Sequence, residues 1–229
     1  MIKYILFDLD DTLYPKETGL MTAIGQRILQ YMQERMGLDP ATARDLRHHY
    51  LQTYGTTLRG LQIHHNIDPD DYLAYVHDVP LGDYLQSNTA LEQALAEIQA
   101  EKIIFTNATT EHARRVLRCL GIEHHFNCII DLRTMNYVNK PQPGAYLRAL
   151  DILGARPEEC LMVEDSVHNL RPAKGLGMVT VLVNGSGGDG VDFVIDDVTR
   201  LGEVLRRVQD SRIRSRFEGD DDRQGHDSG

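Results

Sequence analysis

The chain has 229 residues, 41% hydrophobic and 25% charged, with a formal net charge of -10 and an isoelectric point near 5.4. That suits one large or two small folded units with a real core, and the acidic balance makes a nucleic-acid polymer or an anionic membrane a poor partner. The N-terminal apolar run is too short for a signal peptide, and no segment reaches the roughly 20 apolar residues of a membrane span, so a cytoplasmic protein is expected.

The run Tyr4-Ile5-Leu6-Phe7 predicts a buried strand that delivers Asp8-Leu9-Asp10-Asp11-Thr12. Three carboxylates in so short a span oppose folding by repulsion and desolvation unless a cation or a catalytic task offsets them. Residues 22–36, 41–54 and 70–76 then show helical periodicity with no convincing strand, and Asp39-Pro40 and Asp68-Pro69 each read as an N-cap followed by proline at the first helical position. Residues 16–86 are therefore expected to form an all-helical insertion. Thr89-Ala90-Leu91-Glu92 reads as a capping signature opening the helix that returns the chain to the core.

From about residue 102 short apolar runs alternate with helical patterns, the rhythm of a parallel sheet. Strands are expected at 102–106, 127–130, 160–163, 179–183 and 193–195. Helices are expected near 110–120, from Pro143 to about Leu153, after Asp165-Ser166, and near 199–208. The expected division is an α/β, Rossmann-like core over 1–15 and 87–210, the insertion over 16–86, and a disordered tail over 211–229 whose end is almost free of apolar residues.

Several patterns carry less than they suggest. Cys119, Cys128 and Cys160 are odd in number and flanked by aliphatic residues, which favours packing over a disulfide or zinc site. The pairs His48-His49, His64-His65 and His124-His125 lack a ligand spacing, and neighbours on a helix or strand point apart. The Gly-x-Gly-x-x-Gly within 185–190 precedes an apolar run instead of a helix and reads as a flexible loop. A calcium loop starting at Asp8 fails because Leu13 takes the glycine position and Gly19 the bidentate glutamate position.

Ligands of an open parallel sheet bind at the C-terminal ends of its strands. Asp8 and Asp10, Thr106-Asn107, Lys140-Pro141 and Glu164-Asp165-Ser166 all follow strands or precede helices there. Carboxylates and carbonyls suit Mg²⁺, and a hydroxyl, backbone N–H groups and an amine suit a phosphate monoester.

Taken in order, Asp8-Leu9-Asp10-Asp11-Thr12-Leu13, Thr106, Asn139-Lys140-Pro141 and Val163-Glu164-Asp165-Ser166 resemble the four motifs of the haloacid-dehalogenase-like (HAD) hydrolase superfamily, over about residues 1 to 200. The helical segment between the first two motifs is similar to the helical-cap subclass. The resemblance implies that Asp8 is a nucleophile forming an aspartyl-phosphate and Asp10 a general acid and base. It implies Mg²⁺ held by Asp8, the Asp10 carbonyl and Asp165, with Glu164 behind them or acting through water. Thr106, the Asn107 backbone and Lys140 would bind the phosphoryl group. The superfamily's dehalogenases lack an aspartate at the position of Asp10, which favours a phosphohydrolase.

Leu13-Tyr14-Pro15, Tyr54-Gly55 and Leu58-Arg59-Gly60-Leu61 resemble segments of the fungal and bacterial pyrimidine 5′-nucleotidases. That resemblance implies hydrolysis of a nucleoside monophosphate such as UMP or CMP by a monomer or homodimer. Arg59 and Tyr14 become candidate contacts to sugar, base or phosphate. In the alternative, Arg59 pairs with a carboxylate of the insertion and Tyr14 fills the interface beneath it. Other readings are a phosphatase for a sugar phosphate or phosphoglycolate, and a catalytically idle phosphate-binding module.

Overall fold

Six strands form one sheet in the computed structural model, which describes residues 1–221 and, for 212–221, the backbone alone. They are β1 (Tyr4–Phe7), β2 (Glu101–Phe105), β3 (Cys128–Ile130), β4 (Cys160–Glu164), β5 (Val179–Val183) and β6 (Phe193–Ile195). Their order is β3-β2-β1-β4-β5-β6, and every neighbouring pair is parallel. Parallel strands need crossovers that cover both faces of the sheet, so the strands are apolar on both sides. Ile5 and Phe7 pack on one face with Leu91 and Leu95 of α5 (Thr89–Ala96), Val116 and Leu120 of α6 (Thr110–Leu120), and Leu201 of α9 (Leu201–Asp221). Leu6 faces the other side, against Ala145 and Tyr146 of α7 (Pro143–Leu153) and Leu170 and Ala173 of α8 (Val167–Leu176).

Strand order reverses between β1 and β4. The ends of these two strands open the crevice where an α/β sheet binds ligands.

Between β1 and α5 the chain is helical: α1 (Leu20–Glu34), α2 (Pro40–Tyr54), α3 (Thr57–His65) and α4 (Pro69–Val76), with short 3-10 turns at Lys16–Thr18 and Leu81–Asp83. Asp39 accepts from Ala41 and Thr42 N–H, and Asp68 from Asp70 and Asp71 N–H, the capping that their sequence context predicts. The layer is seated on the sheet, since Leu20, Ile24, Val79 and Leu81 share the apolar cluster of Ile5 and Phe7.

Several local expectations change. Helix α3 was not foreseen: its Gly60 lowers helix propensity, and what selects it is tertiary. A Cβ at Gly60 would lie 2.1 Å from the Tyr50 ring, so only glycine lets α3 close onto α2 there. The cap of α5 is Asn88, whose side chain accepts from Leu91 N–H, so Thr89 lies inside the helix. Ser166 occupies the cap position of α8 without a side-chain bond. Helix α9 continues past 208 to Asp221, into the span expected to be tail, and residues 222–229 lie outside the described residues. Cys160 is buried, Cys119 and Cys128 are half-buried, and all three are free thiols. No helix among the described residues is long and apolar enough to cross a membrane.

Candidate active site

Beyond β1 the ladder runs one residue further, with Asp8 N–H donating to Val163 O at 2.9 Å. The chain then turns sharply, through Asp11 at φ 59° and a Leu13 N–H to Leu9 O bond of 3.0 Å. This turn brings Thr12 back to Asp8. Its hydroxyl donates to Asp8 Oδ2 at 3.1 Å and accepts from Asp165 N–H at 3.1 Å. Thr12 thus joins the ends of β1 and β4, a role the sequence reading missed, since a threonine in an acidic run carries no signal of its own.

Thr106 stands at the end of β2, its N–H bonded to Ile130 O. Its hydroxyl oxygen accepts from Ala108 N–H at 3.0 Å, which leaves its proton for a ligand. Asn107 uses its side chain on the loop that carries Lys140: Oδ1 accepts from Lys140 N–H at 2.8 Å and Nδ2 donates to Lys140 O at 3.1 Å. With its backbone held twice, Lys140 is 1% exposed and places Nζ 2.7 Å from Asp8 Oδ1 and 2.8 Å from Glu164 Oε2.

The helical layer meets that same loop. Asn139 Nδ2 donates to Tyr54 O at 2.9 Å. Gly55, at φ 80°, has no room for a side chain, because a Cβ would lie 2.5 Å from Pro141 Cδ. The Tyr54-Gly55 pair therefore seats the layer on the lysine loop. Arg59 follows on α3, half-buried, and no hydrogen bond joins its guanidinium to the strand-end carboxylates.

Carboxylate oxygens of Asp8, Glu164 and Asp165 lie within 4.8 Å of one another. Burial first, and then repulsion from Glu164, pushes Asp8 up to about 7. Burial likewise pushes Glu164 up to about 7, and Asp165 is raised for the same reason. Burial opposes the charge on Lys140, but Asp8 and Glu164 outweigh it and hold the ammonium firmly protonated. One ammonium against three carboxylates leaves an unbalanced negative charge, and the free donors are hard oxygens. This set fits a small divalent cation such as Mg²⁺.

Asp10 is turned elsewhere. Its Oδ1 accepts from Tyr14 OH at 2.6 Å and lies 3.5 Å from His112 Nε2. Burial disfavours the Asp10 anion, yet the contacts with His112 and Tyr14 prevail and hold its carboxyl below the ordinary range. Tyr14 is 3% exposed, with its ring in the core and its hydroxyl committed to Asp10, so a base-stacking role gives way to holding a carboxylate. His112, buried on α6, stacks on His77 at the end of α4 with ring centroids 4.1 Å apart. Neither ring nitrogen of His112 has a hydrogen-bond partner. Sequence reasoning missed this histidine as well, because one histidine on an amphipathic helix reads as core.

A family model for haloacid dehalogenase-like hydrolases matches residues 2–177. The chain belongs to the haloacid dehalogenase-like hydrolase family. Among curated relatives, "Phosphate metabolism protein 8" of Saccharomyces cerevisiae is 29% identical over 195 residues, covering 79% of this chain and 61% of that protein, so the chain spans less than two thirds of this relative. A phosphoglycolate phosphatase of Chromobacterium violaceum is 23% identical, covering 90% of this chain and 97% of the relative. In three dimensions the HAD phosphatase of Thermococcus onnurineus aligns with a TM-score of 0.62 at 22% identity, over 89% of this chain and 98% of that one. The β-phosphoglucomutase of Clostridium difficile aligns with a TM-score of 0.63 at 20% identity, over 93% and 99%. Both share the α/β HAD-like fold.

Proposed function

We propose that this HAD-like hydrolase is a phosphoric monoester hydrolase that passes the phosphoryl group through Asp8. The observation that carries the reading is the Lys140 ammonium held between Asp8 and Glu164 at 2.7 and 2.8 Å, at the strand ends where a ligand enters. Relatives named as phosphoglycolate and glyceraldehyde 3-phosphate phosphatases support a small phosphate ester as substrate.

Asp8 attacks phosphorus in line while the bond to the leaving oxygen breaks, and Asp10 gives that oxygen its proton. A water then attacks the aspartyl-phosphate, Asp10 takes its proton, and phosphate leaves with Asp8 restored. In the resting site Tyr14 and His112 favour the Asp10 anion, the form that second step needs. The charge of an arriving phosphate pushes the other way, which couples protonation of Asp10 to substrate binding. Thr106, Asn107 N–H and Lys140 bind phosphoryl oxygens. Asp8, Asp165 and the Asp10 carbonyl would hold Mg²⁺, whose charge screens nucleophile from phosphate.

Residues 16–86 act as a cap on a core of 1–15 and 87–210, in a cytoplasmic protein. The leaving group is a pyrimidine nucleoside, supported by the placement of Tyr54-Gly55 against the Lys140 loop and of Arg59 just beyond it. A cleft of about 490 Å³, a size common among small-molecule sites, lies between α4 and α6. His112, one of its lining residues, is also the neighbour of Asp10. The test is phosphate release with Mg²⁺ or EDTA from UMP, CMP, AMP, GMP, sugar phosphates and phosphoglycolate. Metal-dependent release favouring UMP and CMP supports the full reading. Preference for another ester keeps the mechanism and removes the nucleoside, and no release from any of them counts against a hydrolase.

A further inference from the structure

At the end of α6 remote from Thr106 and Asn107, the chain makes a single 3-10 turn at Glu123–His125. Adjacent histidines on a regular helix or strand diverge, the ground on which the sequence sets them aside as joint ligands. This turn is too short to be regular. The following Phe126 is extended, at φ -110° and ψ 112°, and the rings of His124 and His125 lie 4.1 Å apart, inclined by 39°.

Both rings address one carboxylate oxygen. Glu92 Oε1 is 3.4 Å from His125 Nε2 and 3.7 Å from His124 Nε2. The shift of the α5 cap to Asn88 frees Glu92 for this: it sits one position past the point from which a capping-box glutamate reaches back to the cap. His125 Nε2 is buried and has no hydrogen-bond partner. A tetrahedral zinc with ligands at about 2.0–2.1 Å holds neighbouring donors roughly 3.3–3.4 Å apart, close to the spacings found here.

We propose that Glu92, His124 and His125 form a second metal site, for a borderline transition-metal dication and first of all Zn²⁺. Two imidazoles and a carboxylate match the ligand preferences of Zn²⁺ and Ni²⁺, whereas the all-oxygen cluster of Asp8, Glu164 and Asp165 suits Mg²⁺. His124, its side chain 63% exposed, provides the entry path. The other paired histidines lack such a focus: His64 and His65 bond to Tyr54 and Tyr50 hydroxyls within the helical layer. A metal here would clamp the first turn of α5 to the end of α6, beside the Asn88 N–H to Leu120 O bond that already joins them.

The experiment is Zn²⁺ titration of the full chain by calorimetry, with saturating Mg²⁺ present to cover the oxygen cluster. Histidine side-chain nitrogen NMR on the same samples reports which ring nitrogen binds. The site predicts one tight Zn²⁺ per chain, coordinated through Nε2, weakened at least about tenfold in Glu92→Gln and in His125→Ala and lost in the His124→Ala/His125→Ala double variant. The control His48→Ala/His49→Ala binds as the parent does. Metal-free melting curves check that each variant folds, and Glu92→Gln, at a partly exposed position, keeps the test open if His125→Ala does not. Zn²⁺ binding retained by the double variant, or lost equally in the control, overturns the proposal, as does a parent chain that binds no Zn²⁺ once Mg²⁺ is present.

Discussion

Asp8 and Asp131 occupy the same kind of position, the first residue beyond a parallel strand, and both are buried, at 8% and 3% exposure. Their surroundings are opposite. Asp131 accepts four hydrogen bonds, from the N–H and hydroxyl of Thr110 and from the N–H and hydroxyl of Thr134. Burial pushes its carboxyl up, but these bonds outweigh burial and hold it low. Asp8 accepts from Lys140 and Thr12, yet burial and the neighbouring Glu164 outweigh these donors and push it up to about 7. A strand-end aspartate supplied with donors is a fastener for the loops that follow. One crowded by its own kind is under electrostatic stress, which a cation and a phosphoryl group can relieve.

The contrast breaks most sharply at Asp8. Asp8→Asn is expected to lower phosphate release by about 10⁴-fold or more, while the metal-free melting temperature at pH 7 stays level or rises, because a carboxylate opposed to Glu164 is gone. A clear fall in that temperature would mean that Asp8 is a fastener too.

Lys140→Ala leaves Asp8 and Glu164 facing each other without a counter-charge, and should cost on the order of 3–5 kcal/mol in denaturant unfolding. The loss should be larger at pH 8 than at pH 5, since both carboxyls are raised to about 7 and are largely neutral at the lower pH.

Asp131→Ala should cost about 2–4 kcal/mol at pH 7 and leave turnover per folded molecule intact. The folded-state pKa of Asp131 lies below its ordinary value, so its contribution is present above the unfolded pKa and lost as pH falls through the folded one. Unfolding curves of parent and variant should therefore converge below about pH 4.

For Asp8 and Glu164 the sign reverses. Their raised values give stability that is present at low pH and lost as pH rises toward 7. Mg²⁺ should offset that loss, raising the melting temperature more at pH 8 than at pH 5.5, with about 2.7 kcal/mol at a hundredfold excess over Kd. EDTA should reverse it.

The smallest effect is expected at His112→Asn, which disturbs the contact 3.5 Å from Asp10 and leaves the contacts of Lys140 with Asp8 and Glu164 alone. Release from a nucleotide should slow by about tenfold. Release from p-nitrophenyl phosphate, whose leaving group needs little protonation, should slow much less. An equal loss on both substrates would make His112 a packing residue only.

Most of the architecture was legible locally. Strand runs such as Tyr4–Phe7 and Val179–Val183 are apolar throughout because both faces of a parallel sheet are covered. Asp39-Pro40 and Asp68-Pro69 announce their helices because a cap and a pre-set proline act within a single turn. What escaped depends on partners distant in the chain. Helix α3 rests on the Gly60–Tyr50 approach, and Tyr14 and His112 gain their meaning only at Asp10.

From the sequence alone one reads where acid and hydroxyl stand, since Asp8, Thr106 and Glu164-Asp165 directly follow or close apolar runs that read as buried strands, while Lys140 lies in a loop before a helix. Tertiary structure decided what each group faces. It set Lys140 between Asp8 and Glu164, across 132 and 24 residues of chain, and turned Asp10 away toward Tyr14 and His112. The physical reason is range: propensity and capping act over a few residues, whereas the charge and desolvation that set the chemistry of a carboxylate depend on whatever the fold packs within a few ångströms.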